Sequence, residues 1–187
     1  KEGVRSAGKE IPVSVKTRIG YKKNELSTWL PELLAEEPAV ITVHARTRAE
    51  MSLVPARWEH VKEAVEIRNS LKSDTLIFGN GDVLDVEDAR RKAKESGADG
   101  VMLGRAIFGR PWLFSGRKSE PDISERLGIM LEHTKLFQEL LNGHKSFAVM
   151  KKHYKAYVQG FDGAKELRVK LMETESFEEV EKVVAEF

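Results

Sequence analysis

Four short apolar runs, each followed by a stretch with helical periodicity, constrain residues 1–115 more than any other feature of the chain. Ile11–Lys16 (IPVSVK), Val40–His44 (VITVH), Thr75–Phe78 (TLIF) and Gly100–Leu103 (GVML) read as buried strands. Ser27–Glu36 and Trp58–Leu71 repeat their apolar positions at helical spacing. Asp85 is placed to cap a third helix that runs through Ser96, and Gly97 to stop it. Strands buried on both faces and alternating with helices predict a parallel sheet covered by helices. All four runs end in polar or glycine-containing segments, KTR, HARTR, GNGD and GR. A (β/α)8 barrel and an open doubly wound sheet both bind ligands at those strand ends, so the pattern alone leaves the two architectures open. A barrel needs eight strands and roughly 250 residues. The expectation is therefore the C-terminal half of a TIM barrel, followed by something else.

The pattern changes after Phe114. SGRKSEPD is polar, and Ile123–Asn142, Phe147–Gln159, Glu166–Met172 and Phe177–Phe187 read as helices. The predicted organisation is a half barrel over residues 1–115, a linker over 116–122 and a small all-α domain over 123–187. The net charge of +1 is uninformative, but its distribution is not. Residues 145–170 carry seven Lys/Arg against two acids, and residues 171–187 carry six acids against one Lys. A basic face of this kind suits a polyanion, and equally an ordinary solvated helix surface. No apolar run is long enough to span a membrane, and the charged start KEGVRSAGKE has no apolar leader core. With no cysteine, the chain has neither disulfides nor a thiol nucleophile. A cytoplasmic protein is expected.

Candidate site residues cluster at the strand ends. Lys16 and Arg18 lie two apart and so share one face of the first strand. His44 ends the second strand, where a neutral imidazole donates a hydrogen bond or a protonated one gives up a proton. Arg46 and Arg48 follow it and suit phosphate or a surface ion pair. In Gly79–Asp82, glycines allow close backbone approach to an anion and Asn80 offers both a donor and an acceptor, although Asn-Gly is also a common turn dipeptide. Gly104 and Arg105 join backbone amides at a helix start to a guanidinium. If the strands are the fifth to eighth of a barrel, GNGD and GR occupy the two loops that hold phosphate in such barrels. A phosphorylated ligand is expected, and no metal, since no His/Asp/Glu cluster has ligand spacing.

PVSVKTRIGY (Pro12–Tyr21), ITVHARTR (Ile41–Arg48), GNGDV (Gly79–Val83) and GADGVMLGRAIFGRPWLF (Gly97–Phe114) resemble successive blocks of the tRNA-dihydrouridine synthases, in order and spacing. MKKHYKAYVQGFDGAKELR (Met150–Arg168) is similar to the family's RNA-facing segment. The resemblance implies an FMN-dependent enzyme that uses NADPH to reduce uridine to 5,6-dihydrouridine in tRNA; separately, a monomer is expected at full length. It implies FMN contacts from Lys16, His44, Asn80, Gly81, Asp82, Gly104 and Arg105. Arg46, Arg48, Lys151, Lys152, His153, Tyr154 and Arg168 would lie along the tRNA path. The flavin would carry the redox chemistry while the protein positions it, and the target base would leave the RNA stack to reach it.

Three departures stand out. The family's general acid is a cysteine earlier in the barrel, and no residue here takes that role. Ala45 replaces the usual glycine of H-G-R-T-R, and Ala49–Trp58 (AEMSLVPARW) lacks the tyrosine and glycine common in the family. The fragment alone is expected to be inactive. Another flavin- or phosphate-binding barrel oxidoreductase and a non-catalytic RNA-binding remnant are the alternatives.

Overall fold

The computed structural model describes residues 11–117 and 119–187, and the charged opening segment lies outside them. Four strands, β1 (Ser14–Arg18), β2 (Val40–His44), β3 (Leu76–Asn80) and β4 (Gly100–Met102), form one sheet. Its order is β1-β2-β3-β4 and every pairing is parallel. Helices α1 (Leu26–Ala35), α2 (Glu59–Ser70) and α3 (Val86–Ser96) make the crossovers. A doubly wound sheet reverses its strand order at a switch point. This one advances by one neighbour at each step, as barrel strands do. The architecture is therefore a partial TIM barrel, joined in sequence to a helical region.

Alternation along each strand divides the side chains between two faces. One face carries Val15, Ile41 and Ile77, then Thr17, Val43, Gly79 and Val101, in register. Ile41, Val43 and Ile77 are fully buried there with Leu26, Leu30, Val61 and Ala64 of the helices. Burial of each large aliphatic side chain contributes about 1.5–3 kcal/mol. Gly79 has no side chain because the Trp58 ring fills its place, and a Cβ there would come within 2.3 Å of that ring. The opposite face carries Lys16, Thr42, Phe78 and Gly100, then Arg18, His44, Asn80 and Met102.

The local signals of the third crossover operate as the sequence suggests. The Asp85 side chain accepts from the Asp88 amide at 2.8 Å, and Gly97 ends α3 in the left-handed conformation at φ 74°. Strand limits shift by a few residues. β1 begins at Ser14, not Ile11, and β3 extends through Asn80, so Gly79 and Asn80 are strand residues and not turn residues. Directly after β4 a 3-10 turn covers Arg105–Ile107, and a second one covers Pro111–Phe114.

The chain divides into two compact units, 1–106 and 107–187. That division precedes the polar stretch 116–122 expected as the linker. The reason lies in residues 107–114, which belong with the helical unit: Gly109 lies against the Ala156 backbone and Trp112 packs on the helical core. This second unit holds α4 (Ile123–Leu141), α5 (Ala148–Tyr157), α6 (Ala164–Glu173) and α7 (Phe177–Ala185). Its core contains Leu127, Met130, Met150, Tyr154, Tyr157, Leu167, Leu171 and Val180. Leu136 is 45% exposed, because its position rotates out of the Leu127–Met130–Thr134 stripe.

Candidate active site

Register builds the site before any loop does. Arg18, His44, Asn80 and Met102 stand opposite one another across the four strand ends. A cavity of about 630 Å³ opens beside them, lined by Arg18, His44, Arg46, Asn80, Asp82 and Arg105 among others. The Asn80 side-chain amide donates to the Met102 carbonyl at 2.7 Å, which ties the tips of β3 and β4 together.

Asp82 is the electrostatic centre. One carboxylate oxygen accepts from Arg105 Nη2 at 2.7 Å. The other accepts from Arg46 Nη2 and, at 2.9 Å, from the Ala56 amide. The hydrogen bond from Arg46 holds the Asp82 carboxyl below its ordinary range, helped by the Ala56 amide and by both guanidinium charges. The turn that carries Asp82 is sterically tight. Gly81 sits at φ 124°, and a Cβ there would come within 2.8 Å of Ala56 Cβ and 3.1 Å of the His44 ring. Asp82 follows at φ 48°, a left-handed conformation that aspartate tolerates better than most residues. Trp58 Nε1 donates to the Gly81 carbonyl at 2.9 Å and pins the turn from below.

Arg46 is a buried structural cation, not a rim residue. It is 3% exposed. Its Nε donates to the Val54 carbonyl at 2.6 Å, Nη2 to Asp82, and Nη1 to His44 Nε2 at 3.2 Å. A direct contact with tRNA is excluded in this conformation, because every nitrogen of the fork is already engaged inside the protein. Arg48 remains exposed. Arg18 spans the rim, donating to the Thr47 carbonyl at 2.7 Å and the Met51 carbonyl at 3.0 Å.

His44 is held neutral, its pKa pulled down to about 4. Burial is the main cause. The Arg18, Lys16 and Arg46 charges add to it, and Asp82 opposes them. Lys16 also lies below its ordinary value, through burial first and Arg18 second. Gly104 and Arg105 are exposed, and a Cβ on Gly104 would meet nothing within 4 Å, so its backbone is open to approach.

Residues outside the short motifs complete the site. Ala56, Val54 and Trp58 lie in or at the end of Ala49–Trp58, the segment that departs most from the resembled pattern. Their contributions are mostly backbone groups, which carry no side-chain signal. Trp58 could have been found from its position just before a helix that follows a charged loop.

In the helical unit the expected RNA-facing residues separate. Lys152 is exposed and Lys151 partly so. Tyr154 is fully buried in the core and cannot face tRNA, because residues 150, 154 and 157 form the inward stripe of α5. Burial raises its phenol to about 12. Arg168 Nη1 donates to the Val158 carbonyl at 2.8 Å and so closes the C-terminal end of α5. His153 is stacked on Phe108, with ring centroids 5.3 Å apart.

Among the described residues, no group of three or more His/Cys/Asp/Glu is arranged to hold a metal ion, and no helix is long and apolar enough to cross a membrane.

The dihydrouridine synthase family model matches residues 2–187. A Bacillus subtilis (strain 168) protein named probable tRNA-dihydrouridine synthase 2 is 37% identical over 179 residues, covering 95% of this chain and 55% of its own length. Proteins of Staphylococcus aureus (strain MRSA252) and Staphylococcus epidermidis (strain ATCC 12228 / FDA PCI 1200), each named probable tRNA-dihydrouridine synthase, are 37% and 36% identical with the same coverage. The chain thus spans about half the length of these relatives.

Proposed function

The chain belongs to the dihydrouridine synthase family, and from that premise we propose that it supplies the cofactor-phosphate grip and part of the RNA-holding surface of an enzyme that reduces uridine to 5,6-dihydrouridine in tRNA, with FMN as cofactor and NADPH as reductant. The observation that carries this reading is the pairing of Asp82 with Arg105 at 2.7 Å, which brings the tips of β3 and β4 to one point.

The residues fit FMN. Lys16, Arg18, Arg46 and Arg105 outnumber the acid Asp82 on one sheet face and its rim, which suits a phosphate. The exposed Arg105, 73% accessible at its side chain, is free to turn from Asp82 to an anion. The open Gly104 backbone suits an approach that a side chain would block. Gly104 and Arg105 would hold the phosphate, and Asn80 and Gly81 would line the path to the ring. Lys16 and His44 would meet ring or ribityl oxygens. When bound, the flavin supplies the reducing equivalents.

This chain's own residues bind and orient. Lys16 offers positive charge to an electron-rich ring. Arg48 and Lys152 remain as exposed cations for the RNA backbone, a salt-dependent attraction. Arg46 and Tyr154 support the surfaces from within. The family's usual proton donor for the uracil is a cysteine, and this chain contains none.

The test uses the protein at the full length of its relatives. Purified protein is expected to be yellow, to release FMN on denaturation, and to form dihydrouridine in folded tRNA but not from free uracil. Arg105→Ala is expected to weaken FMN at least about tenfold, or 1.4 kcal/mol. A colourless protein with no affinity for FMN would sink the reading.

A further inference from the structure

Arginine has five N–H donors and no acceptor, and it stays protonated in proteins. The contact between Arg46 Nη1 and His44 Nε2 at 3.2 Å therefore has one polarity. Nε2 must present its lone pair, and the single proton of a neutral imidazole must sit on Nδ1. Arg46 cannot turn away, because Asp82 and the Val54 carbonyl fix the rest of its fork and the residue is buried. Asp82 is in turn fixed by the Ala56 amide. The Cδ2–Nε2 edge of the ring faces Gly81, whose missing side chain leaves it room. The Nδ1 side is the other edge of the ring, and it has no hydrogen-bond partner among the described residues.

We infer that the Asp82–Arg46 pair is a positioning device that locks His44 in the Nδ1–H tautomer, so that the ring offers the cavity a fixed hydrogen-bond donor and does not serve as an acid. The complementary ligand atom is a carbonyl or anionic oxygen. Identifying that oxygen with a flavin rests on the proposed function, whereas the tautomer does not. The same arrangement explains what the departing segment Ala49–Trp58 contributes, since its backbone groups at Val54 and Ala56 hold the pair that holds the histidine.

Two-bond nitrogen–proton correlation spectra of the protein at the full length of its relatives, labelled with ¹⁵N-histidine, read the tautomer directly, without ligand. The wild-type chain is expected to show His44 as Nδ1–H across pH 5.5–8. Arg46→Met frees Nε2 and is expected to move the ring toward Nε2–H, with its titration midpoint rising toward the ordinary histidine value. Arg46→Lys keeps the charge but cannot bridge both partners, and Asp82→Gly keeps the left-handed backbone while removing the carboxylate. Both are expected to give a tautomer mixture, and they stand in if Arg46→Met does not fold. An Nε2–H signal for His44 in the wild-type chain overturns the inference, as does an unchanged tautomer in the folded variants. A separate FMN titration reports on the proposed function, so loss of flavin binding with the Nδ1–H form intact would refute only that reading.

Discussion

A few atoms decide whether the strand tips form a site. Gly81 shows this most sharply, since its φ of 124° and its distances from Ala56 and His44 exclude a side chain on two independent grounds. Gly81→Ala is expected to lose about 2 kcal/mol or more, measured as a lower urea midpoint with unchanged slope. Arg105→Ala should behave in the opposite manner. Its ion pair with Asp82 is exposed, and such pairs contribute about 0–1 kcal/mol. Thermal stability is therefore expected to stay nearly constant in that variant while its affinity for FMN falls. A large stability loss would instead make Arg105 a structural residue. His44, Asn80, Asp82 and Arg105 were all legible as chemistry-bearing residues at strand ends. The burial of Arg46 and Tyr154 was not. A guanidinium in a loop and a tyrosine in a basic helix look the same in sequence whether they face water or the core.

Helix signals act locally, and the elements follow them closely. Asp85→Ala removes the cap of α3 and is expected to cost about 1 kcal/mol. A thermal melt should show a fall of a few degrees, roughly 4 °C; no change would mean that α3 is held wholly by its packing. In the helical unit, α4 and α5 place two histidines edge to face, with ring centroids 5.1 Å apart. His133 Nδ1 lies 3.0 Å from the Tyr157 hydroxyl. Burial lowers the pKa of His133, and burial followed by the His133 and Lys152 charges lowers that of His153. Both are thus harder to protonate in the folded unit than in the unfolded chain, which binds protons first as pH falls. Their stability contribution is full above the unfolded histidine value near about 6.5, and it is lost as pH falls below that. The melting temperature is expected to drop between pH 7.5 and pH 5, and to drop less in His153→Gln. A flat profile for the unaltered chain would count against this. Element boundaries were less legible, as β3 shows: the apolar run stops at Phe78, yet the ladder with β2 continues through Asn80.

At the scale of the whole molecule, the sheet has two outer strands, β1 and β4, each paired on one side only among the described residues. Leu76 and Met102 lie exposed on the face turned away from the helices. Such edges and faces seek partners. Expressed alone, the chain is expected to self-associate, seen as a mass above one chain in light scattering, whereas a protein of the relatives' full length stays monomeric. A monodisperse monomer of the chain alone would refute this. The sequence by itself determined the alternation of strands and helices, the polar strand tips, the caps and the family, because periodicity, caps and motifs are properties of neighbouring residues. Its periodicity alone left open barrel against doubly wound sheet, it set the end of the first unit at residue 115 where the fold sets it at 106, and it did not distinguish buried cations from exposed ones. The tertiary structure decided those through strand order, through the packing of residues 107–114 on the helices, and through backbone groups at Val54 and Ala56 that leave no trace in side-chain identity. A hydrogen bond from a main-chain amide or carbonyl can be offered by almost any residue, so only the folded chain reveals which one provides it.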